Sequence, residues 1–181
     1  MECIKPSSAY LNSYYEGCRE SYADAPHNYI IHDPDKFDEW KDTVIEDFEN
    51  HANGINLPEG FLPNVTFWCV ENGEYIGTIN IRPELNDFLR NFGGHMGIFV
   101  RKSARGKGYG TKLAMCAVRE ARKIVKDDLV YVTALAENEA AVKCLESMAA
   151  IDPKMKIYKT ERDRVMFEGK MQDIVRMWFD K

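Results

Sequence analysis

No stretch of the 181 residues approaches the ~20 consecutive apolar positions that a membrane-spanning helix needs, so a chain threading a bilayer is not expected. The opening Met1-Glu2-Cys3-Ile4-Lys5 carries no apolar signal region. The five cysteines (Cys3, Cys18, Cys69, Cys116, Cys144) include no C-x-x-C pair, and none stands beside a histidine at zinc-ligand spacing. That argues against a disulfide framework and against a bound metal. It leaves reduced thiols in a cytoplasmic protein, with Cys69, Cys116 and Cys144 as small apolar residues on strand or helix faces. A basic excess is lacking too. Against 24 Lys and Arg stand 29 Asp and Glu, a formal charge of −5, which disfavours a nucleic-acid partner and leaves room for a cationic or amine-bearing one. With no internal repeat and no low-complexity tract, a chain of this length reads as one domain, residues 1–181, able to bury a substantial core.

What the chain does contain is a clear succession of periodic segments. After a short strand-like start, Pro6-Ser7-Ser8 offers helix-entry chemistry, and Leu11, Tyr14, Tyr15, Cys18 and Tyr22 recur at helical spacing. A second helix follows the cap Asp33-Pro34, with Phe37, Trp40, Val44 and Phe48 on one face. Looser segments lie at Ala25–His32 and His51–Pro63. The pattern then becomes β: residues 65–70 and 75–81 are rich in strand formers, and Asn72-Gly73 between them suits a tight hairpin, since both residues tolerate positive φ. The polar run 82–91 interrupts the strands, and His95–Val100 resumes them after Gly93-Gly94.

A long helix is expected over about 108–126, a buried-type strand over 129–135 and a helix over 139–148. Short final strands are expected at 154–158 and 165–168. The apolar tail Met171–Phe179 places Met171, Val175 and Trp178 at helical spacing and could pack on the domain or on a second copy, which leaves a homodimer open. A strand–helix–strand unit after a hairpin implies an α/β chain with a central mixed sheet and helices on both faces.

The most informative segment is the turn Arg105-Gly106-Lys107-Gly108-Tyr109-Gly110-Thr111, between the strand ending at Val100 and the long helix. Glycines at alternate positions let backbone N–H groups approach an anion without a Cβ in the way. The first helical turn adds unpaired donors and a positive dipole end, so the whole reads as a phosphate cradle. Arg101, Lys102, Arg105 and Lys107 surround it with what reads as mobile positive charge. A Walker loop is excluded, because no glycine precedes Gly106-Lys107 at its spacing and Gly108 stands where Ser or Thr is required. A dinucleotide fingerprint is excluded as well: the required third glycine is Leu113 in one register and Thr111 in the other.

The pattern that fits is Arg/Gln-x-x-Gly-x-Gly/Ala, supplied by Arg105, Gly108 and Gly110. It resembles the GNAT N-acetyltransferase superfamily, in which this turn holds the pyrophosphate of coenzyme A. Val100 lies five residues before Arg105, and Asn138-Glu139-Ala140-Ala141 is similar to the Asn-x-x-Ala that opens the following helix in that superfamily. Arg82-Pro83-Glu84-Leu85-Asn86 with Gly93-Gly94-His95 looks like a bacterial subgroup of it, and the resemblance is best over about 65–150. Two positions depart from the pattern. Leu145 stands where many members carry a tyrosine acid, and Ala149-Ala150 where many carry glycine.

The resemblance implies a GNAT fold and acetyl-CoA as co-substrate, with no metal. Cofactor contacts would come from Phe99, Val100, Arg105, Gly106, Lys107, Gly108, Gly110, Thr111 and Asn138. The acceptor would be an amine of a small molecule or a protein, and its attack would be direct, without a covalent enzyme intermediate. An ammonium has no lone pair, so a general base is called for. His95, which titrates near neutrality, and Glu84, in the polar run, are the candidates. Arg82 and Asn86 would orient the substrate or tie down their loop. Tyr158 is a replacement acid if the fold turns it inward. Two further readings stay open: a coenzyme A-binding sensor or interaction module without transfer, and transfer of a longer acyl group.

Overall fold

The structure, a computed structural model, describes residues 1–24, 31–167 and 169–181. Of the loose 25–32 segment only Ile31 and His32 are described, and Glu168, the end of one expected strand, is outside them. Strand β1 (Glu2–Ile4) leads through a 3-10 turn at Ser8–Tyr10 into α1 (Leu11–Ser21). Helices α2 (Phe37–Trp40) and α3 (Val44–Ala52) precede β2 (Val65–Glu71) and β3 (Glu74–Ile81). Then come α4 (Asp87–Asn91), β4 (Met96–Val100), α5 (Tyr109–Ile124), β5 (Leu129–Leu135), α6 (Glu139–Ile151), β6 (Ile157–Phe167) and β7 (Lys170–Asp180). The α/β class and order follow the sequence pattern, with the strands dividing into two sheets, β1-β2-β3-β4 and β5-β7-β6. No helix among the described residues is long and apolar enough to cross a membrane.

The described residues form two compact units, the first Met1–Asn80 with Ile98–Leu113, the second Ile81–Gly97 with Ala114–Lys181. The first unit is organised by aromatic packing. Tyr14 of α1 is fully buried and stacks on Trp68 of β2 with ring centroids 4.4 Å apart, while Tyr75 of β3 meets it edge-on at 5.1 Å. Trp40, Val44 and Phe48 complete this core. The single helix expected over these residues is broken at Lys41–Thr43, yet Trp40 and Val44 stay buried at the i, i+4 spacing the sequence shows. Trp40 Nε1 donates to the carbonyl of Asp33, the cap of the 3-10 turn at Pro34–Lys36, at 2.8 Å, which ties α2 back to the turn before it. Between β2 and β3, Asn72 (φ 53°) and Gly73 (φ 82°) make the expected tight turn, both in the left-handed region.

The second unit contains the main correction. The tail Met171–Phe179 is not a helix but most of β7, the central strand of its sheet, paired antiparallel with β5 (Val132 opposite Met177) and with β6 (Asp163 opposite Ile174). Val175, Met177 and Phe179, two residues apart, are fully or almost fully buried, whereas Met171, which suggested helical spacing, is half-exposed. The two short strands expected before it form one eleven-residue strand, β6, preceded by a 3-10 turn at Pro153–Met155. Its middle, Lys159–Arg164, is exposed and charged because β6 is an edge strand, so no apolar alternation marks it in the sequence.

Truncating the centre of this sheet should cost most. Phe179→Ala removes a fully buried ring and should lower the unfolding free energy by about 3–5 kcal/mol, read by denaturant titration. The same change at the half-exposed Met171 should cost less than about 1 kcal/mol.

Candidate functional site

The glycine turn lies in the first unit. β4 ends at Val100, a 3-10 turn covers Lys102–Ala104, and residues 105–108 then reverse the chain into α5. Gly106 (φ 72°) and Gly108 (φ 79°) are both left-handed, and a Cβ added at either would meet no atom within 4 Å. The backbone therefore needs glycine for its conformation, and the space in front of it is open to a ligand. The sixteen-residue α5 begins at Tyr109, so the N–H groups of its first turn and its dipole face the same place.

The basic side chains around the turn are not the mobile charges the sequence suggests. Arg101 forms a fork with Glu20 of α1, Nε to Oε1 at 2.7 Å and Nη2 to Oε2 at 3.3 Å. Lys102 and Arg105 both reach Asp24, at 3.2 and 3.0 Å. Arg105 also donates through Nε to the Val100 carbonyl at 3.1 Å and stands over the Phe99 ring, so it braces the turn it belongs to. Burial pushes the Glu20 carboxyl up, but hydrogen bonds from Arg101 and Ser103 outweigh it and hold the group below its usual range. Asp24 is held low first by its hydrogen bond from Lys102. Lys107 is exposed and makes no ion pair among the described residues. At the start of α5 the Tyr109 hydroxyl donates to Glu71, whose carboxyl is thereby held at about 2. Glu20, Asp24 and Glu71 were not singled out from the sequence. Their positions, 38 to 83 residues from the groups they meet, leave no local signal.

The second unit holds the remaining candidates. His95 is fully buried; its Nδ1 accepts from the Tyr131 backbone N–H at 2.9 Å, and its Nε2 lies 3.5 Å from Asp127 Oδ2. Burial pushes its pKa down to about 4, the attraction of Asp127 notwithstanding. Glu84 is exposed and ion-paired with Lys126 at 2.6 Å. Arg82 is buried; it donates from Nη1 to the Gly94 carbonyl at 3.0 Å, and burial lowers its pKa to about 10. Asn86 caps α4, its side chain accepting from Leu89 N at 2.9 Å. Asn138 caps α6 in the same manner, accepting from Ala141 N at 3.1 Å. Leu145, at the position of the family's tyrosine, is buried in the core, and Tyr158 is 63% exposed on β6 rather than turned inward.

In the second unit a hollow of about 340 Å³ is lined by Arg90, Asp127, Asp128, Tyr131, Arg176 and Trp178, among others, and not by His95. Among the described residues no cluster of His, Cys, Asp or Glu is arranged to hold a metal ion.

A glycine turn open on one side at a helix start is the kind of backbone that suits a phosphate group. The sequence profile of the Acetyltransferase (GNAT) family matches residues 18–149, and the chain belongs to that family. Solved structures share the fold at low identity. A spermidine N-acetyltransferase chimera from Vibrio cholerae SpeG and hSSAT is 16% identical with a TM-score of 0.59, over 99% of this chain and 96% of its own. An acetyltransferase of the GNAT family from Streptococcus pneumoniae is 16% identical with a TM-score of 0.54, over 98% and 96%. No curated protein matches the sequence.

The fully buried His95 and the half-buried His32 make a pH prediction. His32, hydrogen-bonded to Tyr14 at 2.7 Å, is also pushed down to about 4 by burial. Each folded pKa lies below its unfolded value near 6.5, so between those values the unfolded chain binds more protons. Stability should be intact above about pH 6.5 and decline as pH falls towards 4, read by urea midpoints at pH 7 and pH 5. His95→Asn should flatten part of that slope.

Proposed function

We propose that this protein is an acetyl-CoA-dependent N-acetyltransferase acting on an amine of a small molecule or a protein. The observation that carries the reading is the cradle itself: two left-handed glycines with open space where a Cβ would sit, at the head of α5, in a chain of the GNAT family. The diphosphate would lie on the backbone N–H groups from Gly106 to Gly110, with Thr111 in the same helical turn and Lys107 as a nearby cation that makes no ion pair among the described residues. Arg105 supports this by shape rather than by charge, since its guanidinium is committed to Asp24 and Val100. Asn138, held as a helix cap through its oxygen, keeps its amide NH2 as a donor.

Bound acetyl-CoA supplies an activated acyl carbon; the amine nitrogen bonds to it, the carbon–sulfur bond breaks, and coenzyme A leaves as the thiol. The backbone at Phe99 and Val100 would hold the pantetheine arm and offer an N–H to the carbonyl oxygen as charge develops there. The attacking amine must first lose a proton. Glu84, exposed beside Lys126, is the candidate base this reading keeps, with Arg82 and Asn86 anchoring the segment that presents it. The setting is cytoplasmic.

Acetyl-CoA-dependent thiol release across a panel of amines tests the reading. Gly108→Val should abolish binding of coenzyme A in calorimetry, because valine resists φ near 79° and fills the cradle. Lys107→Ala should weaken binding about fivefold, increasingly so at low salt, for one lost phosphate contact. Glu84→Gln should lower kcat about a hundredfold or more with KM little changed. Binding without turnover on any amine would leave only a coenzyme A-binding module.

A further inference from the structure

The hydrogen bonds of His95 place it in a closed circuit of the second unit. Its Nδ1 accepts the Tyr131 backbone N–H, and the His95 backbone N–H donates to the Tyr131 carbonyl at 2.7 Å, so one residue holds one peptide segment by both its side chain and its main chain. Because Nδ1 accepts, the proton of the neutral ring is on Nε2, which faces Asp127. Asp127 is in turn 3.3 Å from Arg90 Nη1, and the Arg90 carbonyl accepts from the Tyr131 hydroxyl at 3.1 Å, which closes the circuit. The neighbouring contacts pull the same way. Gly93 N donates to Thr133 Oγ1 at 2.7 Å, Arg82 N to the His95 carbonyl at 2.9 Å, and Arg82 Nη1 to Gly94. Gly94 (φ 65°) is so close to β5 that an added Cβ would lie 2.6 Å from the Tyr131 carbonyl oxygen and 2.8 Å from the Val132 Cα.

A general base needs a ring nitrogen within reach of the substrate proton. Here Nδ1 is taken by backbone, Nε2 is enclosed without a hydrogen-bond partner among the described residues, and the side chain has no exposed surface. We infer that His95 is a positioning residue for the transfer reaction, a neutral imidazole whose Nδ1 pins the Tyr131 backbone to the start of β4, with Asp127 orienting the ring. This rests on the acetyltransfer reading, in which β4 runs on from this joint to the backbone at Phe99 and Val100. Arg82, Arg90 and Asp127 are the charged groups that face the ring.

Three measurements test it. In the wild-type protein the imidazole nitrogen shifts should show an unprotonated Nδ1 and a protonated Nε2 at pH 7; a proton on Nδ1 overturns the inference. His95→Asn, whose Oδ1 stands near the Nδ1 position and can accept the Tyr131 N–H, should keep slow hydrogen exchange at the Tyr131 amide. It should also keep kcat within about threefold, where loss of a general base costs about 10²–10⁴-fold. His95→Leu should speed exchange at Tyr131 at least about tenfold and lower kcat with it. A hundredfold fall in kcat for His95→Asn with Tyr131 still protected would make the ring a chemical participant, and unchanged exchange in His95→Leu would also sink the idea. If wild type transfers no acetyl group to any amine, the acetyltransfer reading fails, while the nitrogen shifts and exchange rates still judge the joint.

Discussion

Gly94 lies against Tyr131 and Val132 at a separation that no side chain permits, and the arrangement of the second unit follows from that close approach. A residue with a Cβ here would push β5 away and break the paired bonds between His95 and Tyr131. The flanking residues then acquire single roles. Gly93 reaches Thr133, Arg82 holds the Gly94 carbonyl, and His95 fills the remaining space with a ring whose acceptor is already committed. The same burial that makes the joint firm lowers the basicity of the imidazole. A histidine used in this way gives up the titration that would suit it to proton transfer.

The first unit handles charge by another route. Four cationic side chains lie at or just before the cradle, and three are neutralised by two carboxylates from α1 and the residues after it. In the proposed reading an anion would meet mainly backbone donors, with Lys107 as a cation that makes no ion pair among the described residues. Arg105 contributes rigidity: its fork onto Val100 and Asp24 fixes how β4 leaves the sheet before the glycines begin. Recognition by oriented N–H groups depends on backbone shape, which is why glycine identity at 106 and 108 carries more weight here than the number of arginines.

How much of this could be read beforehand depended on whether the signal was local. The hairpin at Asn72-Gly73, the strands on either side and the glycine-rich turn before α5 are set by residues a few positions apart, and their backbone is legible in the sequence. Assignment to the GNAT family followed from the spacing of Arg105, Gly108 and Gly110, a local pattern as well. The tail hides its strand because Met171, Val175 and Trp178 satisfy a helical period, while the decisive alternation at Val175, Met177 and Phe179 is short. Partners distant in sequence gave no warning. Nothing near Arg101 announces Glu20, and nothing near His95 announces the Tyr131 amide that occupies its ring. Sequence shows which groups can titrate, whereas burial and long-range pairing decide what they do.

The exposed edge strand β6 has a bearing on how the protein behaves in concentrated solution. Two copies joining edge to edge about a two-fold axis would run β6 antiparallel to itself, with one residue opposite its own twin. Centring that contact anywhere from Glu161 to Arg164 sets like charge against like: Arg162 at the centre, for example, also places Glu161 opposite Asp163. The run that hid the strand from its sequence pattern thus doubles as a guard rail, holding an open row of peptide groups apart from the same row on a neighbouring molecule.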